Sequence, residues 1–117
     1  MDRFEKLIVW QKAREVQKAI HAKARGFRAD CGLADQMQRA AMSVMANIAE
    51  GTGRDSRADF RRFLIMARGS CYELGNWLDC ALDRRHIDAA WHTIARERVD
   101  EVNRLINGLI GTLSDSG

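Results

Sequence analysis

The feature that most limits what this chain can fold into is an apolar period of about 3.6 residues, carried through the sequence without a single proline to break it. At about 100° per residue, Val9, Ala13, Val16, Ile20, Ala24 and Phe27 share one stripe of a first helix. Gly26 is its natural stop, and Phe27 to Gly32 reads as a loop. Leu33, Met37, Ala40, Ala41, Val44 and Ile48 form the stripe of a second helix over 33–49, ended by Gly51-Thr52-Gly53. Ser56, with Asp59 three residues later, is a capping signature that opens a third helix. Its face carries Phe60, Phe63, Leu64, Ala67, Cys71, Leu74, Leu78, Ala81 and Leu82, and it ends near Arg84-Arg85, where cations suit the carbonyl end of a helix. Asp88 is the expected N-cap of a fourth helix, with Trp91, Ile94, Ala95, Val102, Leu105, Ile106, Leu109 and Leu113 on its stripe. Ser114 to Gly117 reads as a frayed tail.

Helices of similar length joined by short connections pack as antiparallel neighbours. The expected fold is therefore all-α: an antiparallel up-down-up-down four-helix bundle, one domain over residues 1–117. Sheet folds need turn signals at short intervals and strands rich in β-branched residues, which this sequence lacks. An apolar share of 46% is too high for disorder. No run of about 18 uncharged apolar residues is long enough to span a membrane. The opening Met1-Asp2-Arg3-Phe4-Glu5-Lys6 has no apolar h-region, so the expected address is the cytoplasm.

Catalytic and metal chemistry find little support. Cys31, Cys71 and Cys80 make no disulfide framework, and with His21, His86 and His92 they show no paired ligand spacing. Gly51-Thr52-Gly53-Arg54 ahead of a helix is the kind of element that cradles phosphate. It lacks the strand, third glycine and lysine of a nucleotide-binding loop and reads better as a helix stop. No enzyme activity, cofactor or metal is expected.

Charge is more informative in its placement than in its total. The net charge is +3, but residues 1–28 hold eight basic residues against three acids, and residues 54–68 hold five arginines against two aspartates. Such zones suit a polyanion, and arginine suits phosphate. The candidate nucleic-acid-binding residues are Arg54, Arg57, Arg61 and Arg68, with Tyr72 to stack a base, and Lys12, Lys18, Lys23 and Arg25 of the first helix. A solvated helix surface laced with i,i+4 pairs accounts for the same residues equally well.

Two groups of residues do not fit a simple monomeric bundle. Met42, Met45, Ala46 and Ala49 lie off the second helix's stripe, and Phe4, Leu7 and Ile8 lie off the first's. Apolar surface left over in this way marks self-association. Arg98 falls within the fourth helix's stripe, at a level where Glu73, Arg39 and Gln36 also come near. A buried guanidinium requires a carboxylate, so a polar layer of Arg39, Glu73 and Arg98 between helices is expected.

The run Ala40-Ala41-Met42-Ser43-Val44-Met45-Ala46-Asn47-Ile48-Ala49-Glu50-Gly51 carries a resemblance, and so do Gly53-Arg54, Ser56, Phe60-Arg61-Arg62-Phe63-Leu64 and Ala67-Arg68-Gly69-Ser70. With Leu7-Ile8-Val9-Trp10-Gln11-Lys12-Ala13 and Leu105-Ile106-Asn107-Gly108-Leu109-Ile110, the pattern resembles the bacterial four helix bundle protein family over nearly the whole chain. That family includes proteins encoded in intervening sequences of large-subunit ribosomal RNA genes. It also includes the accessory variability proteins of diversity-generating retroelements. Many members carry proline where this chain has Met45. The resemblance implies a bundle that assembles as a ring of five. For the retroelement members it also implies nucleic-acid binding beside a reverse transcriptase. It implies no catalytic residues. Two functional readings stand at this point: a non-enzymatic oligomer that binds RNA or DNA through a basic surface, and a structural or protein-interaction oligomer that does not.

Overall fold

A computed structural model of the chain describes residues 7–114. Its four helices are α1 (Ile8–Ala24), α2 (Cys31–Thr52), α3 (Arg57–Asp83) and α4 (Ala89–Ser114). Each packs on its neighbours in the chain, α1 closes the ring of four against α4, and the diagonal pairs do not meet. Contacts run in opposite directions along each seam. On the α2–α3 seam, Ser43 meets Ser70 near mid-helix while Gly51 lies under Phe60 and Phe63. On the α3–α4 seam, Asp79 meets His92 at one end and Arg57 meets Thr112 at the other. The result is an antiparallel up-down-up-down bundle, a rod of 49 × 20 × 19 Å.

The caps follow the local sequence. The Asp59 amide donates to Ser56 Oγ at 3.0 Å and the Trp91 amide to Asp88 Oδ1 at 2.8 Å, which fixes the starts of α3 and α4. α2 begins earlier than its apolar stripe suggests, because the Asp30 side chain accepts from the Leu33 amide at 3.3 Å and caps the helix two residues ahead of Leu33. α3 ends in a left-handed residue, Arg85 at φ 64°. The His86 amide then reaches back to the Ala81 carbonyl and the Arg85 amide to that of Leu82, the Schellman closure with arginine where glycine is usual.

The core is continuous from Val9 to Ile110 and contains every expected stripe residue of α1 and α2. On α3, Phe63, Leu64, Ala67, Cys71, Leu74, Leu78 and Ala81 are buried, and Phe60 and Leu82 half-buried. α4 is rotated from the expected phase. Val99, Val102, Ile106 and Ile110 are buried, whereas Ile94 is 52% exposed. Arg98, on the same edge as Ile94, is exposed too. α3 buries α4 more extensively than the sparser α1 seam does, and that sets the rotation. No described helix is long and apolar enough to cross a membrane.

Candidate nucleic-acid interface and association face

The second basic zone is drawn into the fold. On α3, Arg57, Arg61 and Arg68 face α4, one or two turns apart. Arg57 Nη2 donates to the Thr112 carbonyl at 2.7 Å and so satisfies an end carbonyl of α4. Arg68 Nη1 donates to Asn107 Oδ1 at 3.0 Å. Arg61 is half-buried, with its Nε shielded from water. At the α2–α3 turn, the guanidinium carbons of Arg54 and Arg62 lie 4.7 and 4.8 Å from the Phe63 ring centroid. Arg54 also pairs with Glu50 at 3.1 Å, and Arg62 with Asp59 at 3.5 Å. The turn's amides are occupied as well: Gly53 and Arg54 donate to the carbonyls of Glu50 and Gly51. The glycine turn is thus a helix end rather than an open phosphate cradle. Tyr72 is exposed on α3's outer side.

The first basic zone is arranged differently. Lys12 and Lys23 turn toward α4, where Lys12 pairs with Glu101 at 3.5 Å and the Lys23 ammonium sits 5.3 Å above the Trp91 ring. Lys18 and Arg25 are exposed. Arg14 and Arg28, which the reading of the sequence counted in this zone without selecting, are exposed too. Among the described residues, none of these four has a carboxylate in ion-pair range. Arg14 only approaches the Trp10 ring, at 5.9 Å. Because α1 and α3 lie diagonally across the bundle, the two basic zones form separate surfaces.

The expected polar layer does not form. Arg39 is exposed and pairs along its own helix with Asp35 at 2.8 Å. Glu73 is exposed and accepts from Trp77 Nε1 at 3.3 Å. Arg98 faces outward on the α1 side of α4. The reason is the phase of α4: Arg98 stands beside its buried stripe rather than in it. The polar link between helices lies elsewhere, at Ser43 and Ser70, 2.7 Å apart with Asn47 bonded to Ser43.

Part of the apolar surface expected outside the core is exposed. Met42 is 58% exposed, Ala46 is exposed, and Ala49 is half-buried beside them on α2's outer side. The register set by Ser43 and Ser70 brings Met66 of α3, 46% exposed, alongside Ala46. The sequence reading had not included Met66. Met45 and Leu7 are half-buried against the core, Ile8 is exposed on α1, and Phe4 lies outside the described residues.

At the opposite end, Asp30 ties two loops together. It accepts from Arg84 at 2.7 Å and meets His86 Nε2 at 3.1 Å. His86 stacks on Phe27, 4.8 Å between centroids. Arg84, assisted by His86 and the Leu33 amide, holds the Asp30 carboxyl below its ordinary value of 3.8. Burial, with a smaller effect from Asp100, pushes the Cys71 thiol up to about 12.

These observations define an all-α antiparallel four-helix bundle with one apolar and two basic outer surfaces. Residues 5–108 match the 23S rRNA-intervening sequence protein family, and the chain belongs to that family. No curated protein matches it. The bundle superposes with a TM-score of 0.82 on a protein of unknown function from the S23 ribosomal protein family of Bacteroides thetaiotaomicron VPI-5482. The two chains are 24% identical, and the match covers 88% of this chain and 98% of that one.

Proposed function

We propose that the chain is a non-enzymatic accessory or scaffold protein of the cytoplasm that self-associates and binds RNA or DNA. The observation that carries the reading is a set of exposed cations without carboxylate partners: Arg14 and Lys18 on the outer side of α1, whose opposite face is core, Arg25 at its C-cap, and Arg28 in the turn that follows. From Arg14 to Arg25 the helix rises roughly 16 Å at about 1.5 Å per residue. That matches about five base-pair steps at roughly 3.4 Å, so one stripe reaches several phosphates of one strand. The arginines of α3 play a smaller part, because Arg57 and Arg68 already hold α4.

Self-association rests on the Met42–Ala46–Met66 face, which leaves apolar surface in water unless a second copy covers it. A closed ring, of five in keeping with the resemblance, would repeat the α1 stripe around its axis. Modest affinities would then combine through avidity. The same face supports the second reading, a protein-interaction oligomer without a nucleic-acid role; a reverse transcriptase is one partner of that kind.

The test is a titration of structured RNA and duplex DNA across salt concentrations. Each neutralised duplex phosphate adds about −0.9 to the slope of log affinity against log salt. Four cations therefore give a slope of roughly −3 to −4 per engaged protomer. Changing Lys18 and Arg25 together to Gln should flatten it by about 2. An unchanged slope removes α1 from the interface, and no binding at low salt leaves the protein-interaction reading.

A further inference from the structure

The seam between α1 and α4 is the sparsest of the four, and a cavity of about 170 Å³ opens into it, walled by Val16, Ala19, Ile20, Trp91 and Ile94 with Arg98 at its edge. We propose that this groove binds a small apolar carboxylate: a single aromatic ring or branched aliphatic body of similar size, bearing one acid group.

Size, polarity and charge each support the assignment. An apolar cavity of roughly 150 Å³ is large enough to take up benzene, so this one accommodates one ring. No carboxylate lines it; one cation, Arg98, does, and a second, Lys23, sits on the Trp91 ring that walls it. The Lys23 ammonium stands 5.3 Å above the Trp91 ring that forms one wall. Arg98 stands on the other side, where it also borders a second, polar hollow shared with Lys12, Glu15, Val16 and Glu101. Glu101, within a turn of Arg98 on α4, is held by Lys12 at 3.5 Å. Among the described residues no ion pair or hydrogen bond engages the Arg98 guanidinium, so its donors are free for an incoming carboxylate. Ile94, 52% exposed at the mouth, gains cover from the ligand's apolar body. The site lies on α1 and α4, away from the Met42–Ala46–Met66 face.

The probes are 3-phenylpropionate and its uncharged counterpart 3-phenylpropan-1-ol, titrated into protein carrying Trp10→Phe and Trp77→Phe so that Trp91 is the only indole reporting. The acid should quench or shift Trp91 emission saturably, with a dissociation constant of roughly 0.1–1 mM for a ligand of this size. It should bind about tenfold more tightly than the alcohol, because it forms a charge-assisted hydrogen bond. Arg98→Met should abolish that preference while leaving alcohol binding in place. Ala19→Leu, which fills the cavity, should weaken both ligands. Ile94→Asp, at an exposed position that folding tolerates, should weaken the acid more than the alcohol by placing a like charge at the mouth. Equal affinities for acid and alcohol in the parent protein, or an acid preference that survives Arg98→Met, would overturn the assignment. A linear response of Trp91 emission with no saturation would overturn it as well.

Discussion

Replacing Gly51 with alanine tests the close approach of α2 and α3 near their turn. A Cβ built on Gly51 would lie 2.8 Å from the Phe60 ring and 2.9 Å from Phe63 Cβ. An ordinary carbon–carbon contact is about 3.5–4.0 Å. The half-buried Phe60 ring can swing aside, but Phe63 Cβ is fixed to the α3 backbone. α2 and α3 must therefore separate by half an ångström or more near their turn. Overpacking of this kind costs about 1–3 kcal/mol, while alanine in place of glycine returns about 0.5–1 kcal/mol of helix stability. The net expectation is destabilisation by about 1–2 kcal/mol, or roughly 4–8 °C in melting temperature for a chain of this size. Gly108 provides the matched control, because nothing lies within 4 Å of its added Cβ. Gly108→Ala should therefore show only the helix-propensity gain and melt about 2–4 °C higher. Far-UV circular dichroism, followed by heat and by urea, measures both. If Gly51→Ala is as stable as the parent while Gly108→Ala behaves as stated, the close packing at the turn is wrong.

Ala46→Arg should convert an oligomer into a monomer at tens of micromolar in sedimentation velocity, since it leaves a charge unpaired in an apolar contact; a parent that is already monomeric would end the association argument. Asp30 is held below its ordinary 3.8 in the folded state, chiefly by Arg84. Its contribution to stability is therefore complete above about pH 4 and is lost as the pH falls through the lower, folded value. Melting temperature should drop on acidification in that window, and Asp30→Asn should make the drop shallower. Cys31 is exposed, and Cys71 is buried with its thiol near 12. A thiol reagent at pH 8 should label Cys31 promptly and Cys71 only after unfolding.

The parts of this fold that were legible in the sequence are those set within a single helix. The stripes of α1 and α2 and the caps at Ser56 and Asp88 depend on residues three to seven apart, and each appears where the period places it. α4 was harder to phase because its apolar residues cover a wide arc, from Ile94 and Leu105 on one edge to Val99 and Ile110 on the other. Only the neighbouring helix decides which part of that arc faces inward. α3 chose the side of Val99 and Ile110, so Arg98 came to the surface, while Glu73 lies on α3's own exposed side beside Trp77. The basic zones show a similar limit. Charge counts located them, but Arg57 is held by a carbonyl 55 residues away and Arg68 by a side chain 39 residues away. What sets the unpartnered cations of α1 apart from the arginines of α3 is these distant partners, which no local pattern encodes.

The most direct test of the account is to compare, at low salt, how the parent protein and the Ala46→Arg variant bind one structured RNA. The parent should carry several α1 stripes per particle, and the variant one, although the variant has an additional positive charge on every chain. If repeated stripes act together, the monomer should bind about a hundredfold more weakly or worse, within the roughly 10²–10⁴-fold range that avidity provides. A monomer that binds as tightly as the parent, or better in proportion to its added charge, would contradict the claim that assembly creates the nucleic-acid surface.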